Sequence, residues 1–395
     1  MTKADIILLP GRSSSVERMH PWIFSGAIKR ISEEVQDGDL VRVLDSKGDF
    51  LAIGHYYDGS ISVKIITFEE EAIDDNFWEN KLAAAFERRK WLHIFEQNHT
   101  NAFRLVHGEG DDLPGLIIDI YEDVLVLQAH SVGMYLSLPE ISKAAQKVLG
   151  DRITAIYDKS KDCLPAQFAY PLQNGWLLGE KEHIAIKEND IHFHIDVVKG
   201  QKTGFFLDQR DNRALLGTYS KDKTVLNTFC YSGGFSLAAL QAGATQVDSV
   251  DVSSNAIELV EKNLLLNEYF SDNHQSYVED VMKFLRQEDV PQYDIVVLDP
   301  PAFAKSVSKR HNAVQGYKRL NMLGLEKVKP GGLLFTFSCS QVVDAPLFLN
   351  TVTAAAIECG RKVKVIHRLS QPADHPVNIF HPEGSYLKGL VLIVE

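Results

Sequence analysis

The order of apolar and polar positions divides the chain into regions of different period. Over residues 1–72, short apolar runs alternate with Gly, Asp and Ser at intervals typical of a small β-barrel. Residues 76–97 then change to a helical period, which predicts an amphipathic helix, and residues 115–130 predict a β-hairpin. We therefore expect a small α+β domain over residues 73–190.

From residue 191 onwards, apolar strands alternate with helices. Continuously apolar strands separated by helices are typical of a parallel sheet that is covered on both faces. Residues 191–395 are therefore predicted to form a doubly wound α/β domain whose ligands bind at the carboxyl ends of the strands. The predicted strands are 224–229, 246–251, 293–299 and 333–338, and the predicted helices are 233–243 and 254–267.

Composition narrows the class of protein. The chain has 395 residues, of which 45% are hydrophobic, and no apolar stretch approaches the roughly 20 residues that cross a bilayer. With only a five-residue apolar run near the start and no secretory segment, we predict a cytoplasmic protein without membrane partners. The four cysteines form no CxxC pair, so neither a disulfide scaffold nor a structural metal site is expected.

The net charge of −12 argues against a protein that coats nucleic acid non-specifically. Three basic stretches run against the acidic trend and leave local RNA contacts open. They are residues 87–93, 304–319 and 360–368. The sequence does not decide whether the chain forms a homodimer.

A glycine loop follows the first strand of the α/β region. The stretch NTFCYSGGF contains Gly233 and Gly234, which let the backbone approach a ligand, and Asp251 ends the next strand. A carboxylate at that place can accept both hydroxyls of a ribose. A pyrophosphate needs the GxGxxG pattern, which is absent, so the loop favours S-adenosylmethionine over a nicotinamide dinucleotide. Asp280 follows a third strand, at a place suited to an adenine amino group.

Two further predicted strands are followed by side chains that can take part in a reaction. Asp299 opens the stiff loop LDPPAFAKS, in which Phe303 can stack on a base, and Cys339 follows the next strand in FSCSQ. We expect these strand ends to be neighbours. A thiolate that adds to carbon 6 of a pyrimidine makes carbon 5 nucleophilic, and Asp299 can stabilise the charge at the ring nitrogen. Cys339 is therefore the predicted nucleophile.

Together these motifs resemble the bacterial 23S rRNA cytosine-5 methyltransferases of the class I, S-adenosylmethionine-dependent type. Further similar segments are QKTGFFLDQRDNR, GYKRLNM and QPADHPVNIFHPEGSYLKGL, and HPWIFSGAI and DGDLVRV look like that family's amino-terminal RNA-binding PUA barrel. The resemblance implies a PUA domain over 1–72, a central α+β domain over 73–190, and a Rossmann-like methyltransferase domain with a mostly parallel seven-stranded sheet over 191–395.

The resemblance also implies site residues, with large-subunit rRNA as the partner and S-adenosylmethionine as the cofactor. Cys339 and Asp299 are the expected catalytic residues. The expected cofactor contacts are Phe206, Gln209, Asn227, Phe229, Tyr231, Gly233, Asp251, Asp280 and Asp299. The expected RNA contacts are Lys202, Arg210, Phe303, Lys305, Lys309 and Arg310. The chain departs from the wider group at Ala302, where many such enzymes carry a second cysteine that assists product release.

Two alternatives remain open at this point. A guanine N7 or N2 methyltransferase would need no nucleophile, because the target nitrogen attacks directly. A non-catalytic RNA-binding assembly factor would retain the fold without turnover. A nicotinamide oxidoreductase ranks last, because GxGxxG is absent.

Overall fold

The structure is a computed structural model that describes residues 2–95, 99–269, 271–304 and 306–395. The chain forms two compact units. The first comprises Met1–Ile186, Ile195–Phe205 and Ala373–Gly384, and the second comprises Lys187–His194, Phe206–Pro372 and Ser385–Glu395. The division into three domains stays a prediction, because these units follow different boundaries. None of the described helices is long and apolar enough to cross a membrane.

The first unit contains a six-stranded sheet with the strand order β2-β6-β5-β4-β1-β3. The first strand alternates buried and half-buried residues, and the sheet packs on a core that includes Ile6, Val41 and Val63. The strands are β1 (Ala4–Leu8), β2 (Trp22–Phe24), β3 (Ile28–Ile31), β4 (Leu40–Leu44), β5 (Phe50–Tyr56) and β6 (Ile61–Thr67), and helix α1 (Ser14–Glu17) follows β1.

A second sheet of the same unit has five strands, in the order β11-β10-β9-β8-β7. Helices α2 and α4 share its buried core, which includes Trp78, Leu127 and Ile141. The strands are β7 (Ala102–His107), β8 (Leu116–Tyr121), β9 (Val124–Ala129), β10 (Ala155–Asp158) and β11 (Gly175–Leu178). The helices are α2 (Asp75–Trp91), α3 (Val132–Leu136), α4 (Leu138–Leu149) and α5 (Ala166–Ala169).

The helix predicted over 76–97 ends earlier than expected. Helix α2 stops at Trp91, and His93 adopts a left-handed backbone with φ 55°. A left-handed residue cannot continue a right-handed helix, so the apolar period beyond Trp91 continues without helical backbone. Residues 96–98 lie outside the described part of the chain.

The second unit contains a seven-stranded sheet in the order β16-β15-β14-β17-β18-β20-β19. Strands β14 to β18 pair in parallel, and β20 runs antiparallel to both of its neighbours. This confirms the predicted mostly parallel seven-stranded sheet. The strands are β14 (Thr224–Thr228), β15 (Gln246–Asp251), β16 (His274–Val278), β17 (Tyr293–Leu298), β18 (Val328–Ser338), β19 (Val363–Leu369) and β20 (Lys388–Val394). The pair β12 (Ile184–Glu188) and β13 (Ile191–Ile195) forms a separate two-stranded sheet.

Helices follow the parallel strands, and the strand order reverses between β14 and β17. Such a reversal opens a crevice at the carboxyl ends of the two strands, where ligands of open α/β sheets bind. The helices are α6 (Arg210–Ser220), α7 (Gly234–Gln241), α8 (Ser254–Leu266), α9 (Val281–Phe284), α10 (Arg310–Glu326) and α11 (Ala345–Glu358).

A buried ion pair holds α6 in the second unit. The guanidinium of Arg213 donates from Nε and one terminal nitrogen to the two carboxylate oxygens of Glu188, each at 2.7 Å. The same terminal nitrogen donates to the carbonyl of Phe206 at 2.9 Å. Arg213 is 4% exposed and Glu188 is 1% exposed, so each charge depends on the other for its solvation.

Removal of Arg213 alone should be costly. We expect Arg213→Met to destabilise the second unit by about 3–5 kcal/mol, because Glu188 is left buried and uncompensated. The double variant Arg213→Met/Glu188→Leu should recover most of that loss. Hydrogen exchange at the amides of β14 measures the stability of this unit directly. A single variant as stable as the wild type would show that the pair contributes nothing.

Candidate active site

The glycine loop after β14 needs both glycines, for different reasons. Gly233 has φ 80°, a left-handed conformation that side chains rarely adopt. A Cβ at Gly234 would lie 2.8 Å from Cδ of Arg213, whose guanidinium is fixed by Glu188. The buried ion pair therefore sets the space in which the loop turns into α7.

Asp251 fixes the conformation of this loop. Its two carboxylate oxygens accept from the backbone N–H of Tyr231, at 3.1 Å, and from that of Ser253, at 2.9 Å. Phe229 and Tyr231 both adopt left-handed backbones, with φ 54° and 45°. Each oxygen keeps a lone pair, so the carboxylate can hold the loop and still accept from a ligand hydroxyl.

Other predicted cofactor contacts surround the loop. The ring of Phe206 packs edge-on against Tyr231, with centroids 5.1 Å apart. Gln209 is buried, and its side chain hydrogen-bonds Asp299. Asn227 lies inside β14 and donates to Ser236 Oγ of α7 at 2.8 Å, so its amide ties strand to helix.

Asp280 lies at the carboxyl side of β16, in an exposed position. Its side chain caps α9 by accepting from the N–H of Lys283 at 2.9 Å. One oxygen therefore already has a structural partner, and a contact with adenine would use the other.

Asp299 follows β17 directly and is partly buried. Burial and, to a lesser extent, the nearby charge of Asp208 raise the pKa of this carboxyl to about 7, against opposing contributions from Gln209 and Arg213. Asp208 accepts from the hydroxyl of Tyr386 at 2.7 Å. Because the group holds its proton close to neutral pH, Asp299 can donate a hydrogen bond as well as accept one.

Cys339 follows β18, next to the strand that delivers Asp299, as predicted. The thiol is half-buried. Ser340 anchors the segment, because its Oγ donates to the carbonyl of Ala304 in the Asp-Pro-Pro loop at 2.6 Å. The two strand ends are thus tied together beside the thiol.

The model of a family described as S-adenosylmethionine-dependent methyltransferase matches residues 103–391, and the model of a PUA-like domain matches residues 6–68. The chain belongs to the S-adenosylmethionine-dependent methyltransferase family. It is 42% identical over 98% of both chains to the ribosomal RNA large subunit methyltransferase I of Alteromonas mediterranea, and 43% identical over 98% of both chains to that of Shewanella amazonensis.

Solved structures agree on the fold of this methyltransferase. A methyltransferase candidate from Streptococcus mutans superimposes with a TM-score of 0.84 and 23% identity, over 99% of this chain and 100% of the other. A methyltransferase candidate in complex with SAH gives a TM-score of 0.85 with the same identity and coverage.

The cofactor of this methyltransferase is S-adenosylmethionine, and the donor set fits it. Asp251 ends β15 and Asp280 follows β16, where their carboxylates can accept from ribose hydroxyls and from the adenine amino group, and the loop lacks the GxGxxG pattern of a pyrophosphate site. Within the described ranges, no group of three or more His, Cys, Asp or Glu side chains could hold a metal ion. The individual cofactor contacts stay predictions.

The predicted RNA contacts of the methyltransferase fall into different surroundings. Lys309 and Arg310 are exposed at the start of α10, and Lys305 lies outside the described residues. Arg210 is 5% exposed, and this burial argues against the predicted RNA contact. Lys202 is exposed but belongs to the first unit.

Phe303 is partly buried against Tyr317, with ring centroids 4.6 Å apart, which covers part of its stacking face.

Sequence reasoning missed Lys388 and Asp208. Lys388 is 9% exposed at the first position of β20, and its Nζ donates to the carbonyl of Ser340 at 2.7 Å. A lysine at the head of the otherwise apolar run KGLVLIV was a signal that the sequence did contain. Asp208 gave no such signal, because its position near Asp299 depends on the fold.

The two functions of Asp280 can be separated by mutation. Serine is a good helix cap but lacks the second oxygen, so Asp280→Ser should keep the stability and weaken binding of SAH by about tenfold. Asp280→Ala should weaken SAH binding in the same way and should also lower the free energy of unfolding by about 1 kcal/mol, because the helix cap is lost. Titration calorimetry with SAH and thermal unfolding measure the two effects. If Asp280→Ser binds SAH as tightly as the wild type, the adenine contact is wrong.

Proposed function

We propose that this chain methylates carbon 5 of a cytosine in large-subunit ribosomal RNA, with Cys339 as the nucleophile. The relatives named ribosomal RNA large subunit methyltransferase I support the class of substrate. The observation that carries the chemistry is a half-buried thiol at the end of β18, tied by Ser340 to the loop that bears Asp299.

The first step is the attack of the Cys339 thiolate on carbon 6 of the base. A bond forms between sulfur and carbon 6, and the electrons of the carbon 5–carbon 6 double bond move into the ring. A proton passes from the carboxyl of Asp299 to the ring nitrogen N3, which neutralises the developing charge. The pKa near 7 supports this assignment, because an ordinary carboxyl would hold no proton at neutral pH.

Carbon 5 is then nucleophilic. Carbon 5 would take the methyl group that S-adenosylmethionine supplies when bound, with the methyl–sulfur bond broken and S-adenosylhomocysteine left as the second product. The proton on carbon 5 leaves to a base, the double bond re-forms, and sulfur is expelled from carbon 6 as a thiolate. The N3 proton returns to Asp299, so both residues regain their starting states.

RNA would bind to the PUA-like domain, residues 6–68, and to the exposed cations of α10. Lys309 and Arg310 stand a few residues after the Asp-Pro-Pro loop and can contact phosphates. A few such contacts position an RNA without reading its sequence.

Transfer of labelled methyl from S-adenosylmethionine to unmodified large-subunit rRNA, followed by nucleoside analysis, tests this function. We expect label in 5-methylcytosine for the wild type, none for Cys339→Ala, and normal transfer for the matched control Cys359→Ala. Because fluorine cannot leave as a proton does, RNA with 5-fluorocytosine should trap the wild type as a covalent complex that survives denaturing electrophoresis.

Other outcomes discriminate between the alternatives. Label in a guanosine, with Cys339→Ala unimpaired, would favour the nitrogen methyltransferase. Binding of RNA and S-adenosylmethionine with no transfer to any rRNA would favour the assembly factor.

The pH profile tests the role of Asp299. Above a pH of about 7 Asp299 loses the proton that N3 needs, so we expect this group to impose an alkaline decline on kcat/KM for RNA. Asp299→Asn keeps a hydrogen-bond donor but transfers no proton, so kcat/KM should fall by about 10²- to 10⁴-fold and the alkaline decline should vanish. A wild-type profile that keeps rising to pH 9 would exclude Asp299 as the acid.

A further inference from the structure

A charged side chain lies beside the proposed nucleophile. Strand β20 pairs antiparallel with β18, and its first residue, Lys388, is the register partner of Ser338. The next residue along β18 is Cys339. The ammonium of Lys388 donates to the carbonyl of Ser340 at 2.7 Å, so it binds the residue that directly follows Cys339.

The position of Lys388 is energetically unfavourable for a lysine. Burial lowers the pKa of its ammonium to about 8, while Cys339 and Asp344 oppose this shift. Cys339 opposes it because a thiolate attracts the ammonium. Charge interactions are reciprocal, so the ammonium stabilises the thiolate by the same amount.

The surroundings contain other titratable groups. Tyr317 interacts electrostatically with Cys339, and burial raises the pKa of its hydroxyl to about 12, so it is neutral. Asp299 and Asp344 are acidic; Asp344 is exposed and caps α11 by accepting from the N–H of Leu347 at 2.8 Å. An ionised Asp344 disfavours a thiolate, and Asp299 does so once it loses its proton above a pH of about 7, so a nearby cation offsets both charges.

We propose that Lys388 is a positioning residue that holds Cys339 as a thiolate and aims it by anchoring Ser340. The thiol gives its proton to water, and the ammonium of Lys388 stabilises the thiolate that remains. The thiolate then attacks carbon 6, and the elimination step restores it beside the same ammonium. This inference rests on the proposed role of Cys339 and deepens it.

The test is the rate of alkylation of Cys339 by iodoacetamide between pH 5.5 and 10, without RNA, resolved by peptide mass spectrometry. We expect Lys388→Met, which keeps the length of the stem, to raise the pKa of the thiol by about one unit. This corresponds to about tenfold slower alkylation at pH 7. Lys388→Arg keeps the charge and should restore the wild-type profile in large part.

Lys327→Met is a matched control. Its ammonium also donates to backbone carbonyls, of Gln287 and Val290, but it stands just before β18, at the opposite end of the strand from Cys339. Lys327→Met should leave the alkylation profile of Cys339 unchanged. If a general loss of stability caused the change in Lys388→Met, Lys327→Met would show the same change.

The outcomes separate this inference from the proposed function. A wild-type alkylation profile for a folded Lys388→Met variant would overturn the role of Lys388, whatever the RNA assay shows. A thiol pKa that is raised in Lys388→Met but not in Lys388→Arg would confirm the ion pair. If Cys339→Ala also gave full methyl transfer, the covalent mechanism would be rejected.

Discussion

The candidate active site depends on the parallel pairing of β17 with β18. Leu298 and Thr336 are register partners, so both strands run out at the same edge of the sheet and deliver Asp299 and Cys339 there. Parallel pairing therefore brings Asp299 and Cys339 to the same edge of the sheet, although they are forty positions apart in the sequence. The hydrogen bond from Ser340 to Ala304 then fixes the two loops against each other where regular pairing has ended.

Desolvation acts on the acid and on the cation of this edge in opposite directions. It raises the pKa of Asp299 and lowers that of Lys388, so the two groups titrate about one unit apart near neutral pH. A carboxyl that keeps its proton and an amine that can lose one are both unusual in water. Burial therefore brings a carboxyl and an ammonium at this edge of the sheet to titrate close to neutral pH.

The sequence predicted what local patterns encode. Continuous apolar runs located β14, β15 and β17 to within a residue, and strand-end acids located Asp251 and Asp299. Charge alone could not distinguish exposed Arg310 from buried Arg210. Within the basic stretch 87–93, Arg88 and Arg89 pair with buried Asp111, a partner that no spacing rule identifies. Lys388 was missed because β20 reaches β18 across about fifty residues of chain.

The position of β20 between β18 and β19 makes the last part of the sheet depend on one long-range closure. Strand β19 precedes β20 along the chain and joins the sheet through it, so neither strand is part of the sheet until β20 closes a loop of about fifty residues onto β18. Lys388 arrives with that closure. A nascent or partly folded chain would therefore carry a thiol of ordinary reactivity, and the reactive form of Cys339 would appear only when the sheet is complete.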